Sequence, residues 1–188
     1  MIKKYILTEE MIVIYGRRLY RIKALIDIPE KGIKAGDLGG FIEKEDNLSH
    51  DGSAWIFDEA KVFDEAKVYG NAEVSGRAEV RSRSRIFEHA KIDGNAKILD
   101  QAEVCGNARV AGSAKIHNSA RIEDDAEISG NARIYGCSKI GNNVKIFGDA
   151  EIYDANIHGR TAISGKAYIN AHIDIYGSAN ISGFIKIL

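Results

Sequence analysis

From Ile56 onward, apolar and polar residues recur with a period of six. The unit is clearest in Val68-Tyr-Gly-Asn-Ala-Glu, Val104-Cys-Gly-Asn-Ala-Arg and Ile128-Ser-Gly-Asn-Ala-Arg. Its first position is Val or Ile at 56, 62, 68 and every sixth residue through 146 and 152. In the sixteen units starting from 56 to 146, the fifth position is Ala in thirteen, with Ser84, Ser138 and Val144 as exceptions. The third is Gly, Asp or Asn in fourteen, with Ser82 and Glu88 departing. Those residue types tolerate positive φ, which predicts a tight corner at every third position. The sixth is Lys, Arg or Glu in all sixteen, which places it in solvent.

A strict period of six drifts against the 3.6 of an α-helix, and the recurrent glycines would break one. A short strand and a corner every six residues instead describe an all-β parallel solenoid, with three units making an 18-residue coil of triangular section. The phase slips once, where Ile152 is followed by Ile157, and resumes at 163, 169, 175, 181 and 187. The slip reads as one tightened corner. Beyond it Ile173 and Ile185 occupy the small position, which predicts a wider core. About seven coils are expected, a prism roughly 35 Å long at the spacing of β-ladders. Residues 50–188 form this solenoid and residues 1–49 a cap that covers its first coil. In the cap, Ile12 to Ile22 reads as two strands around a Gly16 turn, with a further strand through Ile28 and a turn-rich stretch after Pro29.

Composition narrows the function classes. Lys plus Arg total 26 against 27 Asp plus Glu, and a net charge of −1 does not suit a general nucleic-acid binder. Two cysteines form no disulfide framework, which suits a reducing, cytoplasmic setting. Glu9 and Glu10 interrupt the apolar N-terminus before a signal core builds, and no apolar run approaches a membrane span.

The segment Lys34-Ala-Gly-Asp-Leu-Gly-Gly-Phe-Ile-Glu, then Asn47-Leu-Ser-His-Asp-Gly-Ser-Ala-Trp and the hexads, resembles the YdcK-type hexapeptide-repeat proteins. These are bacterial and prophage-borne proteins often described as acyltransferases. The resemblance covers essentially the whole chain. It implies a left-handed parallel β-helix and a homotrimer; a protein partner, such as one of a host, or a small anionic ligand is the expectation for its binding role. Hexads alone are shared with many acyltransferases and with γ-class carbonic anhydrases.

Acyltransferases of this fold resemble one another in a long loop leaving the coils, and often in a C-terminal helix. The uninterrupted hexads leave room for neither, so a non-catalytic scaffold or binding protein without a cofactor is the first reading. The alternative is an acyltransferase with an acyl-CoA co-substrate lying in a groove between subunits. Its general base would be His117, which follows Ile116 and so points outward. His117 shares a column at 18-residue spacing with Phe63, Arg81, Leu99, Tyr135 and Tyr153, the most apolar of three outward columns. Exposed aromatic stripes mark interfaces more often than cofactor sites, and Phe63, Leu99, Tyr135 and Tyr153 are therefore read as the surface between copies. Arg81, Arg83 and Arg85 form the one local basic cluster, suited to an anionic ligand or a CoA diphosphate. The five histidines show no metal-ligand spacing, so no metal site is expected.

Overall fold

The computed structural model describes residues 2–188. The repeat folds into 23 rungs of two or three residues, from β4 (Trp55–Ile56) to β26 (Lys186–Ile187). They stack as three parallel sheets, with eight rungs in two of them and seven in the third, giving about eight turns rather than seven. The architecture fits the left-handed parallel β-helix.

Registry follows the sequence period. Lys61 pairs with Glu79, Glu79 with Lys97, and Lys97 with Lys115, each 18 residues on. The Val or Ile of each hexad and the Ala at its fifth position are buried along the axis through Ile169. The fifth-position exceptions are satisfied locally. Ser84 Oγ donates to Arg81 O (2.8 Å) and Ser138 Oγ to Tyr135 O (2.8 Å), closing the turn from within a dry core.

Every third position from Asp58 to Gly148 has positive φ, including Ser82 (63°) and Glu88 (58°), which the residue pattern left irregular. The side chains explain how non-glycine residues hold this conformation. Asp100 Oδ2 accepts the N–H of Asn118 in the next coil (2.9 Å), Asp124 Oδ2 that of Asn142 (2.8 Å), and Glu88 Oε2 that of Gly106 (2.6 Å). A charge-assisted bond of this kind contributes about as much as the backbone conformation costs, on the order of 1–2 kcal/mol.

The slip omits one fourth-position residue. Asp154 takes the corner (φ 52°) and Ala155 follows at once into the core. Asp154 Oδ1 accepts the N–H of Cys137 (2.6 Å), and pairing resumes with Lys139 opposite Asn156. Near the last rungs Ile173 is only partly covered and Ile185 is exposed.

The cap begins with a hairpin, β1 (Tyr5–Ile14) and β2 (Arg17–Ala24), turning through Tyr15 and Gly16, both at positive φ. The third cap strand is not at Ile28. Residues 25–37 hold only a 3-10 turn, Pro29–Lys31, and a single bridge between Ile28 and Ile33. The strand lies instead at β3 (Leu38–Ile42), antiparallel to β2 and parallel to Lys61–Val62, so it carries the sheet from cap to solenoid. Gly39 and Gly40 let it lie against the first coil. A Cβ on Gly39 would sit 2.6 Å from Ile56 O, and one on Gly40 2.6 Å from Ala60 O. The pattern read these glycines as turn formers, whereas their role is close approach.

The first coil would otherwise present bare corner carbonyls, and the cap supplies one donor side chain to each corner. Lys4 Nζ donates to Gly52 O (3.2 Å) and Ala54 O (2.9 Å), Arg21 to Asp58 O (3.2 Å), and Asn47 Nδ2 to Asp64 O (3.1 Å) and Ala66 O (2.8 Å). Lys4 is 1% exposed, and burial pulls its pKa down to about 8. A lysine whose pKa falls on folding is charged at a cost below pH 8, and that cost fades as the unfolded chain also deprotonates near pH 10.5. Urea titrations should therefore show wild-type stability rising between pH 8 and 10.5 by about 1–3 kcal/mol relative to Lys4→Met. At pH 7 the variant should be the less stable, because two carbonyls lose their donor.

Candidate functional site

The outward column predicted as an interface is built by the second residue of each hexad on one sheet. His117 stacks on Tyr135 with ring centroids 5.0 Å apart and planes 9° from parallel, and Tyr135 lies 5.1 Å from Tyr153. The spacing is that of the coils themselves. Leu99, His117, Tyr135 and Tyr153 are half-buried, with their outer edges open. Burial lowers the His117 pKa, so the imidazole is neutral at pH 7. Burial and the nearby Glu151 carboxylate push Tyr135 up to about 12.

Phe63, at the head of the column, has a different place. It is 1% exposed, covered by the curled cap hairpin together with Leu19 and Phe41, with Ile12 and Ile14 against them. It belongs to a second small core, and the open stripe begins below it. Arg81 follows Phe63 in the column and sits 5.5 Å from the Tyr15 ring.

The arginine cluster is largely satisfied within the chain. Arg81 pairs with Glu79 (2.9 Å), although no acid stands in its own column. Glu79 is correspondingly the exception to the solvent-facing sixth position, 6% exposed beneath Arg81 and Lys97. Arg85 pairs with Glu103, which also holds Arg121. Of the cluster's three, Arg83 makes no ion pair among the described residues. It lines a shallow groove of about 430 Å³ in which Asp64, Glu65 and Asp100 present carboxylates beside Arg17, so an anion meets no net attraction there.

Of the remaining histidines, His89 and His172 are exposed, and His158 stacks on Tyr176 at 5.8 Å. His50, read from sequence as a cap contact, is one. It stacks on Tyr5 at 4.4 Å and its Nδ1 accepts the Lys4 N–H (3.2 Å). Among the described residues, no three His, Cys, Asp or Glu side chains converge as metal ligands would. No helix among them is long and apolar enough to cross a membrane.

The geometry thus offers a rigid prism whose charged columns are paired off along the axis, as in Arg133–Glu151 (2.8 Å) and Lys145–Glu127 (3.1 Å). Such surface pairs contribute little individually, and the pairing is partial: Lys115, stacked between Lys97 and Arg133, makes no ion pair among the described residues. No protein-family model matches the chain, and no curated protein matches it.

Proposed function

We propose that the protein is a non-catalytic scaffold that assembles as a homotrimer of YdcK type and presents its prism faces to a protein partner. The observation that carries this reading is the open column of Leu99, His117, Tyr135 and Tyr153, whose one arginine, Arg81, is engaged by Glu79. A half-desolvated aromatic stripe gains most from a second apolar surface, at about 25 cal/mol per Å² removed from water.

Acyl transfer is the weaker reading. A neutral His117 has the protonation state a general base needs. Its ring, however, is packed flat on Tyr135, the one arginine of its column, Arg81, is committed to Glu79, and nearby Arg133 to Glu151. A CoA diphosphate would have to displace those pairs.

Light-scattering mass tests the assembly directly. The wild type should run at three times the 20.6 kDa of the chain. Tyr135→Glu should dissociate it to monomers that keep the wild-type far-UV spectrum, since the phenol edge faces outward and truncation leaves the core intact. A monomeric wild type would sink the reading. Saturable capture of acetyl-CoA, lost in His117→Ala, would replace it with the acyltransferase.

A further inference from the structure

A cleft of about 610 Å³ lies where the Ile26–Lys31 segment of the cap faces the first two coils, away from the aromatic stripe. Lys4, Lys31, His50, Asn71 and His89 line it, with Asp27 and Glu30 on the cap side.

Two buried donors here lack the partner their chemistry calls for. The Lys4 ammonium is 1% exposed and bonded to two neutral carbonyls, and no carboxylate lies within ion-pairing distance among the described residues. Asp51 favours the charged form only from farther away. Buried charges are ordinarily paired, because the desolvation cost is otherwise uncompensated. His50 repeats the deficit. With Nδ1 accepting the Lys4 N–H, the neutral ring carries its proton on Nε2. That atom is buried with no hydrogen-bond partner on the side of the ring toward Glu45, whose Oε2 at 3.9 Å is too far to serve, while the ring itself forms part of the cleft wall.

The groups around these two are donors as well. Asn71 uses its Oδ1 to accept Ser53 Oγ–H (2.9 Å), which leaves its amide N–H groups free. His89 is exposed at the corner above. The acids do not fill the role. Asp27 turns to Lys34 Nζ (3.0 Å) and the Ala35 N–H (2.9 Å), Glu73 is taken by Lys31 (2.6 Å), and Glu30 stands in solvent.

We propose that this cleft binds a small molecule through an oxyanion group, a phosphate or a carboxylate, which supplies the counter-charge that Lys4 lacks. Its volume suits a metabolite-sized ligand rather than a bare ion. The site does not depend on lateral assembly and stands whether or not the chain is a trimer.

Inorganic phosphate and citrate, titrated separately into the full chain at pH 6.5 and constant ionic strength against chloride, test it. Lys4 is protonated at that pH. Either anion should raise Tm and move the NMR signals of the Lys4 ammonium and the His50 ring, and which of them does so tells phosphate from carboxylate. His89→Glu places a like charge at an exposed corner without touching the core. It should keep the anion-free Tm and weaken binding about tenfold, or 1.4 kcal/mol. No change with either anion up to about 50 mM, well into the weak-binding regime, would overturn the proposal. So would a response indifferent to His89→Glu.

Discussion

Gly130→Val should destabilise the protein by about 3–5 kcal/mol, enough to remove a large part of the stability of an ordinary domain. The corner holds Gly130 at φ +67°, where a β-branched residue is strained. A Cβ there would also lie 2.7 Å from Gly148 N and 2.8 Å from Gly148 O. These are backbone atoms of the next coil and cannot rotate away, so the coils must separate locally and weaken the rungs that flank the corner. Gly130→Asn adds the same Cβ and so separates that contact from the strain and γ-branching of valine. Asparagine occupies the equivalent corner at Asn118 and Asn142 with φ 59° and 52°, and its amide accepts the next coil's N–H. It should cost only about 1 kcal/mol. Urea titration of the three proteins decides the point: a larger loss for Val assigns the difference to its strain and branching at this φ, whereas equal losses would assign the whole effect to the Cβ contact with Gly148.

That pair of variants also shows why the solenoid is legible in the sequence while the site is not. A repeating fold applies the same physical demand at every sixth residue, so even weak preferences add up over sixteen units. The corner demand is strong enough that Ser82 and Glu88, the two residues outside the pattern, adopt it regardless. The one-residue slip after Ile152 was visible for the same reason, since a missing residue shifts every later position.

The cap has no period to average over. There Gly39 and Gly40 carry the same residue code as a turn, and only the approach of Ile56 O and Ala60 O reveals that they sit in a strand. Phe63 keeps its place in the outward column, but its burial depends on a hairpin nearly fifty residues earlier in the chain folding back over it. Arg81 lacks an acid in its own column and finds Glu79 two residues earlier along the chain instead, a pair that counting by columns passes over.

Lys4 was the least legible of all. Near a terminus, beside another lysine, it reads as a solvated charge, and nothing local predicts that its stem crosses the open end of the prism. Candidate sites on the regular faces were found from sequence because columns can be counted. The cleft at the cap was not, because it lies where the regular and irregular parts meet.

The stacking has a consequence for cooperativity that a mutation at mid-prism should expose. Ile122 is fully buried, pairing with Val104 in the coil before and Ile140 in the coil after. Ile122→Asn removes apolar volume from a close-packed column and puts an amide where no polar partner waits, at a cost of about 4 kcal/mol or more. In a globular core that loss would be shared by the whole molecule. In a stack where each coil meets only its neighbours, it falls on two interfaces and lowers the coupling between the capped half and the half that follows. The capped half keeps the donors of Lys4, Arg21 and Asn47, so it should melt last. Wild type should therefore unfold in one transition, and Ile122→Asn in two, with hydrogen exchange lost first in the coils after residue 122. A single transition merely shifted to lower urea would mean that coupling along the prism reaches well beyond nearest neighbours.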